Sequence, residues 1–184
     1  MAKTKISASL ICLCAMFTAI SIVLSQIAIP IGLVPINFVH TAIFTSVGLM
    51  GVKYGTMSQV VFVLMGAVGL PVFSGFSGGL WRPGGGFIVG YILCALVAGY
   101  IMDRYDKKNG TGRTVKVMLP AMYAGWVATY VIGVPWFMFM TGASFAAALP
   151  IVLIPFLPGD ALKTVLSIML VKRLSRHAIR YRKF

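Results

Sequence analysis

Asp160 and Lys163 lie three residues apart in Pro155-Phe156-Leu157-Pro158-Gly159-Asp160-Ala161-Leu162-Lys163, inside an otherwise apolar run from about Phe145 to Val171. On a helix that spacing puts both on one face. An ionisable group at membrane depth costs roughly 2.5 kcal/mol or more, so such groups pair, face a cavity, and serve a ligand or an ion. A carboxylate there accepts amide or ureido N–H groups, and an ammonium receives a carboxylate. Three readings follow: the face lines a solute cavity, the two charges form a self-neutralising pair that packs helices, or they couple ions or protons. The first is preferred, because a purely structural ion pair in lipid rarely recovers its desolvation. Proton coupling calls for more carboxylates or histidines, and beyond Asp160 the chain holds only Asp103, Asp106, His40 and His177, with no glutamate. His40 is expected as a polar lining or interhelical contact, and His177 belongs to the basic tail.

The surroundings are those of a membrane protein. The 184 residues are 59% hydrophobic and 10% charged, with a mean hydropathy of +0.96, outside the range of ordinary soluble domains. The longest polar run, Asp103 to Lys116, is only a loop, so residues 1–184 form a single integral membrane domain. Spanning takes about 20 apolar residues per helix. Cuts at charges, prolines and glycine clusters predict an all-α protein of six transmembrane segments: 6–29, 37–52, 55–71, 85–102, 116–140 and 145–173. Ile6 to Ile29, about 24 residues, is long enough to span and too long for the apolar core of a signal peptide. Lys53-Tyr54-Gly55 is expected to be a tight turn. In the sixth segment Pro150, Pro155 and Pro158 interrupt the backbone ladder, which predicts a short helical lead-in and then a regular helix from about Pro158 to Arg176. Pro158 suits its first turn and Asp160 its positive dipole end.

The formal charge of +13 reads as topology and implies no nucleic acid. With the N-terminus inside, Lys3 and Lys5, Lys53, the five cations of residues 104–116 and the six of residues 172–183 all fall on the cytoplasmic side, fourteen of the 16 Lys and Arg, as the positive-inside bias requires. Both termini are then cytoplasmic, and the tail can touch anionic lipid. Arg82 alone faces outward. At about 1.5 Å per residue Asp160 lies roughly 18 Å and Lys163 about 13 Å from Lys172, in the outer half and near the middle of the membrane, so three charges gather towards the outer half.

Residues 69–86, which contain Phe73, Phe76, Trp81 and Arg82, form a glycine-rich outer loop with two readings, a flexible connector or a lid over a cavity. Its glycines match no phosphate-binding fingerprint. Ala15-x-x-x-Ala19 and Gly86-x-x-x-Gly90 have the spacing that brings helix backbones together, for packing inside the bundle or, on the first helix, for docking a partner. Cys12, Cys14 and Cys94 lie in apolar segments without metal-ligand spacing and read as small apolar residues. One embedded aspartate and no glutamate make neither a paired-aspartate nor a His-Glu zinc protease. An enzyme is therefore not expected, nor a metal or cofactor, and any ATP hydrolysis falls to another chain.

Val34-Pro35-Ile36, Lys53-Tyr54-Gly55, Gly69-Leu70-Pro71-Val72-Phe73, Gly85-Gly86-Phe87-Ile88-Val89-Gly90-Tyr91 and the Pro155 to Lys163 stretch resemble, in order, the BioY family, the biotin-binding S components of energy-coupling factor (ECF) transporters. The Pro-Gly-Asp-x-x-Lys segment is the most specific part. The resemblance implies a six-helix protein of the prokaryotic plasma membrane that captures biotin from outside and associates with a transmembrane coupling subunit and two ATPases, with the family's aspartate and lysine at Asp160 and Lys163. Ala15 and Ala19 resemble the first-helix motif by which S components dock on the coupling subunit. Where the family reads Gly-Pro-Thr-Gly-Gly before the fourth helix, this chain has Arg82-Pro83-Gly84-Gly85-Gly86 after a shorter loop. The candidate ligand-binding set is Asp160 and Lys163 with Arg82, Ser77, Asn37, Phe73 and Tyr91. An S component for another small vitamin and a non-transporting membrane scaffold are the alternatives.

Overall fold

Apolar runs broken by glycine and proline fold as helices joined by short connections, and the computed structural model describes residues 8–30, 33–109 and 114–178. In order these are α1 (Ala8–Gln26), β1 (Ala28–Ile29), β2 (Ile36–Asn37), α2 (Val39–Ala67), α3 (Gly85–Asn109), α4 (Val115–Thr141), α5 (Phe145–Val152) and α6 (Leu157–Ala178). The two short strands pair antiparallel, Ala28 opposite Asn37 and Ile29 opposite Ile36. Thus the first expected segment stops at Gln26 rather than Ile29, and the second starts at Val39 rather than residue 37. Ile6, Lys3 and Lys5 lie outside the described residues, as do Arg113 and the end of the basic tail.

The expected turn at Lys53-Tyr54-Gly55 is displaced. The chain reverses at Gly51, whose φ of 81° and ψ of 178° are non-helical within α2. Eight residues along a straight helix span about 12 Å, yet a Cβ on Gly55 would lie 2.7 Å from the Cα of Val47, so residues 39–50 and 52–67 run back to back as two arms. The resumed helix needs an acceptor for its first amide, and Asp103 of α3 supplies it: Val52 N donates to Asp103 Oδ2 at 2.7 Å. Only glycine adopts this backbone without strain, and a Cβ at Gly51 would lie 3.0 Å from that same carboxylate oxygen. Gly51→Val is therefore expected to lose about 1–3 kcal/mol, read as a lowered melting temperature in detergent; unchanged melting would show that the reversal does not depend on this residue.

By length and composition α1, α2, α3 and α4 qualify as membrane spans, and α5 with α6, bent by 49°, qualify together as a fifth. The sixth sequence segment divides as its prolines demand. α5 holds Pro150, residues 153–156 with Pro155 break the helix, and α6 carries Pro158 and Asp160 in its first turn.

Several hydrogen bonds fix which ends lie together. Cys14 Sγ approaches Tyr54 O at 3.4 Å and Thr18 Oγ1 donates to Ser58 O at 3.0 Å, placing the start of α1 beside the Gly51 reversal. Asp103 places the end of α3 there too, and α6 runs antiparallel to α4, with Trp126 bonded to Thr164 and Tyr130 to Asp160. Lys53, Arg104, Lys116, Lys172 and Arg173 consequently share one end of the bundle, and Arg82 stands at the other. α3 packs on α4 through Gly86 and Gly90: a Cβ at Gly86 would lie 2.2 Å from Trp136 Cβ, and one at Gly90 3.0 Å from Thr129 O. That small-residue pair serves packing inside the bundle, whereas Ala15 and Ala19 are exposed on α1.

Residues 68–84 link α2 to α3 and are tied down. Ser25 Oγ donates to Val72 O at 2.5 Å, and Gln26 Nε2 donates to Val72 O and Phe73 O at 3.2 and 3.1 Å. In return Phe76 N donates to Gln26 Oε1 at 3.0 Å, and Gly79 N to Gly66 O at 2.7 Å. Phe73 is buried in the main core, so the loop is anchored to α1 and α2 along its length.

Candidate functional site

Asp160 and Lys163 meet as their spacing demands. Lys163 Nζ lies 3.1 Å from Asp160 Oδ1, and the residues are only 6% and 2% exposed. The second carboxylate oxygen accepts the Tyr130 hydroxyl at 2.7 Å. The ammonium also sits 5.3 Å from the ring centre of Trp126, a distance at which the aromatic face attracts a cation. The carboxylate retains free acceptor positions and the ammonium free protons.

An aromatic column from α2, α3 and α4 surrounds this pair. His40 stacks on Trp126 with centroids 3.8 Å apart and meets the Tyr91 ring edge-on at 4.9 Å. Its Nε2 pairs with Thr129 Oγ1 at 3.3 Å. His40 is thus both the interhelical contact and the polar lining expected of it. Asn37, at the end of β2, donates through Nδ2 to Ser74 Oγ at 3.0 Å and Tyr91 OH at 3.3 Å. Its Oδ1 accepts Val39 N at 3.2 Å at the start of α2. One asparagine therefore joins the strand pair, the loop of residues 68–84 and α3.

Two small cavities adjoin here. One, about 30 Å³, is bordered by Asn37, His40, Tyr91, Trp126, Thr129, Tyr130 and Lys163. The other, about 20 Å³, is bordered by Asn37, Phe73, Ser74, Arg82 and Tyr91. Val34, Pro35, Asn37, Phe87 and Tyr91 line both. On the far side of Tyr130, between α4 and α6, runs a groove of about 350 Å³ with apolar walls; Trp126, Tyr130, Asp160 and Thr164 also line it.

The sequence-predicted residues therefore fall into two groups. Lys163, Asn37 and Tyr91 border the inner cavity, with Asp160 bonded behind them. Arg82 and Phe73 border the outer one, where the guanidinium donates to Ser77 Oγ and lies 5.8 Å from the Phe73 ring centre. Ser77 borders neither cavity and serves to hold Arg82. Arg82 stands apart from the Asp160–Lys163 pair, since the Asn37 and Tyr91 side chains lie between. Tyr130, Trp126 and Thr129 are the residues that sequence reasoning missed. Trp126 and Tyr130 are four apart with Thr129 beside them, a polar-tipped cluster on one helix face, but the spacing does not say that this face turns inward.

The BioY family model matches residues 1–180. This chain belongs to the BioY family. A Thermotoga maritima protein named biotin transporter BioY is 33% identical over 163 residues, 87% of this chain and 92% of the relative. A Rhizobium etli protein of the same name is 34% identical over 167 residues, 86% and 88% of the two chains. The crystal structure of the S-component for biotin from an ECF-type ABC transporter matches with a TM-score of 0.84 at 27% identity, over 96% of this chain and 95% of that one. The BioY resemblance of the Pro155 to Lys163 stretch thus extends to the whole helical arrangement.

Proposed function

We propose that this chain is the biotin-binding S component of an ECF transporter, taking biotin from outside the cell and delivering it with a coupling subunit and two ATPases. The observation that carries this reading is the buried Asp160–Lys163 pair beside a cavity, in a chain similar over nearly its full length to proteins named for biotin. Biotin suits the pair. Its ureido ring offers two N–H donors to Asp160, its thiophane ring is apolar, and its tail is a carboxylate for a cation. Asn37, Tyr91, Phe73 and Arg82 complete the site, with Ser77 positioning Arg82.

The same reading makes the basic end cytoplasmic, by the positive-inside bias, and places the chain in a prokaryotic plasma membrane. Counting the two arms of α2 separately, and α5 with α6 as one, gives six membrane segments. The arms are about 18 and 24 Å long at 1.5 Å per residue, so flanking residues complete each crossing. Exposed Ala15 and Ala19 on α1 offer the close-packing face for the coupling subunit. Hydrolysis of ATP belongs to the partners, and neither cofactor nor metal is required.

Titration of the purified protein with biotin tests this directly. At 100 times the dissociation constant the ligand should add about 2.7 kcal/mol of stability, seen as a raised melting temperature. Other vitamins should not displace labelled biotin. No thermal shift and no competition-sensitive binding would leave a membrane scaffold as the better account, and displacement by another vitamin would reassign the ligand.

A further inference from the structure

Asp160 is held from two sides, and the second holder comes from a different helix. α4 carries Trp126 and Tyr130 one turn apart, and α6 carries Asp160 and Thr164 one turn apart. The antiparallel helices pair them in order: Tyr130 OH donates to Asp160 Oδ2 at 2.7 Å, and Trp126 Nε1 donates to Thr164 Oγ1 at 3.2 Å. Around these two bonds the α4–α6 seam is the apolar groove, so Tyr130 and Trp126 form the wall between groove and inner cavity.

We propose that Tyr130 is the positioning residue that fixes the Asp160 carboxylate for its ligand. A carboxylate offers about four lone-pair sites. Lys163 engages one oxygen and the Tyr130 hydroxyl the other, which stops rotation about the carboxylate bond and leaves the remaining sites to a ligand donor. The phenol is suited to this because it donates one hydrogen bond without cancelling the charge. Its ring is itself held, edge-on to Phe87 with centroids 6.0 Å apart and parallel-displaced on Trp126 at 6.4 Å. Without the hydroxyl, the Lys163 ammonium alone holds the carboxylate, which borders the groove.

This inference rests on the biotin reading above, and its test separates the two. Binding of biotin is compared with binding of biotin methylated on the ureido nitrogens, which cannot donate to Asp160, in the intact protein and in Tyr130→Phe. The intact protein should prefer biotin. Tyr130→Phe should lose about tenfold or more for biotin, as expected for removing a hydrogen bond to a charged group, and little or nothing for the methylated compound. Thr164→Val, which breaks the other α4–α6 bond, should lower the melting temperature while preserving the preference. Equal weakening of both ligands by Tyr130→Phe, or no weakening of either, overturns the positioning role. No preference in the intact protein would instead overturn the assignment of Asp160 to the ureido group.

Discussion

Replacing Lys163 by methionine is expected to cost about 3–5 kcal/mol of stability, because it strands a buried carboxylate, and to abolish biotin binding at micromolar ligand. Asp160 is 6% exposed, and among the described residues the Lys163 ammonium is the partner of its Oδ1. Adding Asp160→Asn to Lys163→Met should restore most of the lost stability. The amide oxygen still accepts the Tyr130 hydroxyl, and no unpaired charge remains. A neutral, well-packed replacement of a buried ion pair is commonly tolerated. The double variant should nevertheless fail to bind. That combination, stability recovered and binding absent, distinguishes a ligand-facing pair from a packing pair. A double variant that binds biotin normally would make the charges structural, and a stable single variant would mean that the pair is open to water.

The size of the inner space constrains how such a site works. Cavities of about 20 and 30 Å³ hold a water molecule each, well below the roughly 300 Å³ of ordinary small-molecule sites. Biotin binding must therefore displace side chains that now touch. Three contacts around these cavities are side chain to side chain: Asn37 to Ser74, Asn37 to Tyr91 and Arg82 to Ser77. They join β2, the outer loop and α3, whereas Lys163, Asp160 and Tyr130 sit on long helices. Opening from the loop side breaks these contacts together with the bonds from Ser25 and Gln26 that anchor the loop, and leaves the helical part of the site in place.

How far the sequence carried depended on range. Asp160 and Lys163 were legible because a separation of three within one helix sets their geometry locally. Pro158 and Asp160 marked the start of α6 for the same reason. The reversal in α2 was legible only to within four residues. Gly51 and Gly55 are both glycines beside Lys53, and the choice of Gly51 depends on Asp103 capping Val52 N from α3, 51 positions away. Tyr130 was hidden by its neighbours. Tyr123, Trp126 and Tyr130 form one aromatic series on α4, yet Tyr123 is 64% exposed while Trp126 is buried. Where lipid and interior are both apolar, aromatic spacing alone does not say which face turns inward. Only the antiparallel register of α4 on α6 brings Tyr130 to Asp160. Arg82 lies at the end of the bundle opposite Lys53, Arg104, Lys116, Lys172 and Arg173, and its separation from the Asp160–Lys163 pair follows from side chains of Asn37 and Tyr91 supplied by other elements.

Phe73→Ala is expected to have the second largest effect, about 3–5 kcal/mol in the manner of other buried aromatic truncations, concentrated in the loop that carries it. Phe73 is 1% exposed, meets Phe62 edge-on at 5.5 Å and fills the space above Gly66. Its backbone exchanges both ladder bonds with Ser77, at 2.9 and 3.2 Å. Losing the ring removes the apolar anchor on which the bonds from Ser25 and Gln26 depend, so the amides of Ser77 and Gly79 should exchange with solvent at least about tenfold faster, as local opening becomes easier. Phe76, three residues on, is 75% exposed, and Phe76→Ala should change stability by no more than about 0.5 kcal/mol. Because Phe73, Ser74 and Arg82 border the outer cavity, loosening this loop should raise the biotin dissociation rate more than it lowers the association rate, the usual division for changes at a formed site. Equal effects of the two substitutions on amide exchange would mean that the polar ties alone hold the loop. Faster exchange with an unchanged dissociation rate would mean that the loop does not cover the bound ligand.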